Sequence, residues 1–203
     1  GNLIMKTPAI PHPAEALILA RVPEHVVNRA RDIKLMAFDV DGILTDGALW
    51  YGENGEVAKR FHALDGYGLR MLRESGIVVA FITGRKGPIV ARRGAELGIE
   101  IVLQGVRDKL QALTQIAQEH GLSFDQIGFM GDDIMDLAAL QRVGLAATVP
   151  GAPAYIEQAA HWISVKPGGD GAARECCDLV LAAQKRLGPF LSQNSVVLGD
   201  VTQ

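Results

Sequence analysis

Phe38-Asp39-Val40-Asp41-Gly42-Ile43-Leu44-Thr45-Asp46-Gly47 closes an apolar run and opens a turn. The run, Ile33–Phe38, is broken only by Lys34 and reads as a buried strand. Two carboxylates arrive one residue apart where that strand ends, and Gly42 lets the chain bend sharply away. Side chains alternate along a strand, so Asp39 and Asp41 can share a direction at its carboxyl end. Two anions that close repel unless a cation lies between them or one keeps its proton. On its own, Asp-x-Asp-Gly is slightly better explained as an acidic turn after a core strand, because Asp-Gly is common turn chemistry.

Working outward, other strand ends carry similar residues. Ahead of the motif, residues 5–22 hold Pro8, Pro11 and Pro13 and read as a loose arm, with a short helix over Pro23–Ala30. Gly1-Asn2-Leu3-Ile4, before Met5, carry no fold signal. Behind the motif, Ala48–Tyr51 and Glu56–Phe61 flank Gly52-Glu53-Asn54-Gly55, a hairpin signal because Asn and Gly tolerate positive φ. Asp65-Gly66-Tyr67-Gly68 precedes a helix that stops near Gly76. Strands are expected at Ile77–Ile82, Ile101–Leu103, Ile127–Met130, Leu145–Val149 and Trp162–Val165. Helices are expected over Pro88–Leu97, Asp108–His120, Met135–Val143, Ala152–Ala160 and Ala172–Leu187.

Strands alternating with helices of this length imply an α/β fold: a Rossmann-like, doubly wound parallel sheet with helices on both faces. The expected divisions are an N-terminal arm with a short helix over 1–32, a domain over 33–187 with its hairpin at about 48–61, and a C-terminal tail over 188–203. Ligands of such sheets bind outside the carboxyl ends of the strands. Asp39 and Asp41, Thr83, and Asp132 and Asp133 all fall there.

Composition narrows the function classes. The chain has 203 residues, 48% of them hydrophobic, enough for a substantial core. Its net charge of −3 gives no basic field for nucleic acid or anionic membrane. Cys176 and Cys177 are adjacent, which excludes a disulfide framework, lacks zinc-ligand spacing and fits a reducing cytosol. No apolar run reaches membrane-span length and no signal-peptide pattern opens the chain, so a cytoplasmic location is expected.

Asp39, Asp41 and Asp132 offer oxygens from two strand ends, as a hard divalent ion such as Mg²⁺ requires. That ion would relieve the repulsion between the acids and polarise a phosphoryl group. A carboxylate can attack phosphorus and form an acyl phosphate, splitting hydrolysis into two easier steps. Thr83 adds a hydroxyl and Lys109 a cation at a helix start, although either alone reads equally as a turn residue or a solvated charge. Gly168–Gly171 could form a backbone nest for phosphate.

Asp39-Val-Asp-Gly42, Thr83-Gly84-Arg85, Lys109 and Gly131-Asp132-Asp133-x-x-Asp136 resemble, in order, the four motifs of the haloacid dehalogenase superfamily of phosphohydrolases. The resemblance implies Asp39 as nucleophile, Asp41 as general acid/base, and Thr83 and Lys109 as holders of the phosphoryl group. It implies Mg²⁺ on Asp39, the backbone carbonyl of Asp41, and Asp132, with Asp133 and Asp136 as supporting acids. Across about residues 33–187 the chain further resembles a capless subgroup that acts on 3-deoxy-D-manno-octulosonate 8-phosphate. The segments that carry this are 39–47, the hairpin, Phe61-x-x-x-Asp65-Gly-Tyr-Gly68, Ile82–Lys86 and Gly168–Glu175.

That resemblance implies release of inorganic phosphate in lipopolysaccharide precursor synthesis. It also implies a homotetramer in which hairpins replace a cap and neighbouring chains close the sites. Carried over by position, the substrate contacts are Asp41, His62, Ala63, Leu64, Asp65, Gly66, Arg70, Arg85, Arg93 and Lys109. Some members have Asn in place of His62 and a basic residue in place of Leu64. Two alternatives stay open: a phosphatase for nine-carbon, sialic-acid-type 9-phosphates, and a non-catalytic oligomerisation module.

Overall fold

The computed structural model of the chain describes residues 10–196. From the N-terminus come α1 (Pro13–Leu19), α2 (Glu24–Arg31), β1 (Leu35–Phe38), the hairpin strands β2 (Trp50–Gly52) and β3 (Gly55–Ala58), α3 (Ala63–Glu74) and β4 (Val78–Ile82). Next are α4 (Pro88–Glu96), β5 (Ile101–Leu103), α5 (Lys109–His120) and β6 (Ile127–Met130). A 3-10 turn at Ile134–Asp136 leads into α6 (Leu137–Arg142), then β7 (Leu145–Thr148), α7 (Ala154–Ala159), β8 (Trp162–Ile163), α8 (Ala172–Ala183) and α9 (Leu187–Gln193).

Six parallel strands pair in the order β5-β4-β1-β6-β7-β8, and β2 and β3 form a separate antiparallel ribbon. Alternation along β1 sends Met36 and Phe38 into a layer with α2, α3 and α8, and Leu35 and Ala37 into a layer with α5 and α6. Covering both faces is what lets these strands read as unbroken apolar runs. Phe38 lies opposite Phe81 on one side and Met130 on the other, so β1, β4 and β6 end level. The chain leaves β1 toward β4 and β5 and later returns to β6 on β1's other side. The switch point of the doubly wound sheet therefore lies between β1 and β6, directly below Asp39 and Asp132.

Three sequence expectations change. The stretch taken as a loose arm is helical from Pro13, because proline at the first helical position forfeits no hydrogen bond. Glu15 on that helix is buried. Its carboxylate accepts N–H groups of Leu187 and Gly188 at the start of α9, each at 3.0 Å, so arm and tail clasp each other. Second, α3 begins at Ala63 and takes in Asp65–Gly68, with His62 as its cap. Third, the helix expected to reach Leu187 stops at Ala183. Lys185 turns left-handed at φ 58, and the N–H groups of Arg186 and Lys185 return to the carbonyls of Leu181 and Ala182, which lets α9 follow. The parts of the expected arm before Ile10 and of the expected tail after Val196 lie outside the described residues. Among the described residues, no helix is long and apolar enough to cross a membrane.

Candidate active site

The site is built where β1, β4 and β6 end. Asp39 follows β1, its backbone N–H bonded to the Met130 carbonyl at 3.0 Å, and its side chain is buried. Lys109, the first residue of α5, is also buried and reaches it with Nζ 3.0 Å from Oδ1. The same Nζ lies 2.6 Å from Asp136 Oδ1, so the lysine bridges two acids. Asp39, Asp132 and Asp136 present oxygens within 4.8 Å of one another, a donor set suited to a divalent cation.

Packing three carboxylates together has an electrostatic cost. Burial, then the Asp136 charge, pushes the Asp39 carboxyl up to about 6 despite Lys109. Burial, then Asp39, pushes Asp132 up to about 8. Burial pulls Lys109 down, but Asp39 and Asp136 outweigh it and the ammonium titrates above its ordinary value. Both acids facing the cluster thus favour a bound proton, or a cation in its place.

Asp136 differs from the other two. While one oxygen holds Lys109, the other accepts the N–H groups of Asp132 (2.9 Å) and Asp133 (3.2 Å). Both of its oxygens are engaged in shaping the 131–136 loop, leaving Asp39 and Asp132 to face a ligand. Asp133 caps Ile134 at 2.7 Å. Gly42 has φ +91, and a Cβ there would run into the Asp132 carboxylate, so only glycine lets the two loops close.

The glycine-rich 166–171 loop braces this arrangement instead of cradling phosphate. Gly169 donates its N–H to the Ile43 carbonyl at 3.0 Å, and a Cβ on Gly168 would strike the Gly42 carbonyl.

Thr83, buried at the end of β4, accepts the Arg85 N–H on its hydroxyl at 3.2 Å, which leaves the hydroxyl proton free to donate. Asp41 does not share the surroundings of Asp39, contrary to a common direction for the pair. It turns to the hairpin, where Lys59 Nζ lies 2.7 Å from Oδ1. Arg85 Nε is 3.8 Å from its Oδ2, and Arg85 also donates to the Tyr51 hydroxyl at 3.0 Å.

The profile of haloacid dehalogenase-like hydrolases matches residues 90–175. Over 173 residues, 85% of this chain and 92% of the relative, the sequence is 40% identical to the 3-deoxy-D-manno-octulosonate 8-phosphate phosphatase KdsC of Salmonella typhi. The chain belongs to the haloacid dehalogenase-like hydrolases. Among solved structures of the family, a Xanthomonas campestris protein superposes with TM-score 0.85 at 44% identity, covering 88% of this chain and 98% of that one. A 3-deoxy-D-manno-octulosonate 8-phosphate phosphatase from Moraxella catarrhalis, in complex with magnesium ion, phosphate ion and KDO, superposes with TM-score 0.82 at 40% identity over 84% of this chain and 98% of that one. Within that family, 40% identity to phosphatases over most of the chain makes it an enzyme of the phosphoric monoester hydrolase class.

The remaining residues expected to touch substrate form a second group in this hydrolase, around the start of α3. His62 Nδ1 accepts the Leu64 N–H at 3.1 Å, with Ala63 and the half-exposed Leu64 opening the helix. Asp65 is buried and caps α8 through the Arg174 N–H at 2.9 Å; its second oxygen has no partner, and burial pushes its carboxyl up. Gly66 leaves room for the Arg93 guanidinium, which lies 5.5 Å over the Phe61 ring. Arg70 is exposed and paired with Glu74 at 2.8 Å. Among the described residues, no hydrogen bond joins this group to Asp39 or Asp41. Sequence reasoning missed Lys59 and Glu56: a lysine and a glutamate at the end of a short hairpin carry no motif, and only the folded hairpin brings them to Asp41.

Proposed function

We propose that the protein hydrolyses 3-deoxy-D-manno-octulosonate 8-phosphate to the free sugar acid and inorganic phosphate, as a cytoplasmic, Mg²⁺-dependent step in making lipopolysaccharide precursors. The observation that carries this is the buried Asp39, held by Lys109 beside Asp132, in a chain 40% identical to KdsC. Asp39 attacks phosphorus, the bond from phosphorus to the sugar oxygen breaks, and Asp41 donates a proton to that oxygen. Water then attacks the aspartyl phosphate, Asp41 takes the water's proton, and the Asp39–phosphorus linkage breaks to release phosphate. Lys109 and the Thr83 hydroxyl hold the phosphoryl oxygens throughout.

Asp39, Asp132 and the Asp41 carbonyl would hold Mg²⁺, consistent with two acids whose pKa values of about 6 and about 8 call for a cation between them. When bound, the ion supplies positive charge to the phosphoryl oxygens. Arg85, Arg93, Arg70 and the 62–66 segment would grip the sugar acid, a planar guanidinium fork suiting its carboxylate. Since no hydrogen bond among the described residues joins the second group to Asp39 or Asp41, we place its contribution in a homotetramer. The hairpin supports this by leaving Trp50, Tyr51 and Val57 at 54%, 60% and 64% exposure.

Two measurements test the reading. In a panel of phosphosugars with and without Mg²⁺, kcat/KM is expected to favour the eight-carbon ester over the nine-carbon ester by about tenfold or more, with no turnover after chelation. Equal or better turnover of the nine-carbon ester moves the substrate assignment there. Sedimentation at working concentration is expected to show a tetramer, and a stable monomer rejects the shared site.

A further inference from the structure

We propose that Lys59 is a positioning residue for Asp41, so that the hairpin sets the geometry of proton transfer; this rests on the acid/base role proposed above for Asp41. Lysine is rarely buried, because a desolvated ammonium is costly unless paired. The Lys59 side chain is nonetheless only 5% exposed, and its Nζ lies between two carboxylates, Asp41 Oδ1 at 2.7 Å and Glu56 Oε2 at 2.9 Å. Glu56 and Lys59 lie on and just after β3, whereas Asp41 follows β1, so the bridge links the hairpin to the loop that carries the nucleophile. Arg60, next in the chain, ties the same segment to Asp170 at 3.0 Å, on the loop that braces Gly42.

Asp41 needs this support. Its side chain is 19% exposed on a loop, and an aspartate so placed has several rotamers open to it. Proton exchange with a sugar oxygen needs one carboxylate oxygen aimed at the phosphoryl group within hydrogen-bond reach. With Oδ1 occupied by Lys59, Oδ2 is the oxygen left to exchange the proton. Among the described residues it accepts no hydrogen bond, and Arg85 Nε stands 3.8 Å from it. The bridge therefore chooses which oxygen works and where it points, without itself touching substrate.

The test compares Lys59→Met and Lys59→Arg on two esters. Asp41 matters most when the leaving oxygen is a poor leaving group, as in a sugar phosphate, and least for p-nitrophenyl phosphate, whose phenolate departs with little protonation. Lys59→Met is expected to lower kcat on the sugar ester about 100-fold with KM within about threefold, and to lower kcat on the aryl ester less than about tenfold. Lys59→Arg is expected to restore kcat on the sugar ester to within about tenfold of wild type.

Unchanged kcat in Lys59→Met, a raised KM with kcat kept, or equal loss on both esters overturns the positioning role. Crystal structures of wild type and Lys59→Met supply a readout independent of substrate. Asp41 turned away from its wild-type rotamer supports the proposal, and Asp41 unmoved overturns it. Wild-type protein inert toward the sugar ester counts against the proposed function alone, and the two crystal structures then decide for Lys59.

Discussion

Asp39→Asn is expected to fold, assemble and release no phosphate, with kcat down by about 10⁴-fold or more, the scale seen when a covalent nucleophile is removed. An amide of the same shape is a far weaker nucleophile, and in the proposed mechanism the neighbouring Asp132 is committed to the metal. Thr83 and Lys109 are assigned in the proposed mechanism to holding phosphoryl oxygens, and both oxygens of Asp136 are already engaged by Lys109 and the loop N–H groups. Folding should survive because Lys109 keeps its 2.6 Å contact to Asp136 when the charge at position 39 is lost. The variant should even gain stability without metal, since burial and Asp136 hold the Asp39 carboxyl at a pKa of about 6, and the amide removes that repulsion. Phosphate-release assays beside thermal unfolding in chelator check both halves. Retained turnover refutes Asp39 as nucleophile. A wild-type protein that assembles yet turns over no phosphate ester would restore the reading as an oligomerisation module.

How much of this was legible in the sequence depends on the range of each interaction. The strands at Leu35–Phe38, Val78–Ile82 and Ile127–Met130 were visible because burial on both faces turns them into apolar runs. The rule that ligands sit at strand ends places Asp39, Thr83 and Asp132 at one edge from the sequence alone. Residues acting through distant partners were not legible. Glu15 carries no signal in the sequence, and only the fold sets it against Leu187 and Gly188. Gly168 and Gly169 suit a phosphate nest on backbone chemistry alone, but the loop spends those positions on close contact with Gly42 and Ile43. Asp39 and Asp41 share a strand end, as the spacing predicts, yet hold different partners, because one meets α5 and the other the hairpin.

The different surroundings of the acids lead to a second large effect, on stability. Without metal, the protein is expected to lose stability as pH rises from 5 to 8.5. The Asp39 carboxyl is raised from 3.8 to about 6 and that of Asp132 from 3.8 to about 8, so the folded state holds these protons more tightly than the unfolded chain does. Their stabilisation is fully present below about pH 4 and is shed as pH climbs through about 6 and then about 8. At about 1.36 kcal/mol for each pKa unit, about half of the Asp39 shift, on the order of 1 kcal/mol, is still to be lost above pH 5, and Asp132 carries the rest of the fall up to about pH 8. For a chain of this size each kcal/mol lost lowers the melting temperature by about 2–4 °C.

His161, whose pKa burial lowers, gives a smaller slope of opposite sign around pH 6, which makes the upper step the cleaner one to follow. Asp132→Asn should abolish that upper step. Mg²⁺ bound as proposed would take the place of the protons, so it should raise the melting temperature little at pH 5 and strongly at pH 8. Binding should also release protons near neutral pH, visible as a buffer-dependent heat in titration calorimetry. A metal-free melting temperature that stays flat or rises between pH 5 and 8.5 would show that the folded state does not hold the Asp39 and Asp132 protons more tightly than the unfolded chain, and the electrostatic argument for a metal between these two acids would fall with it.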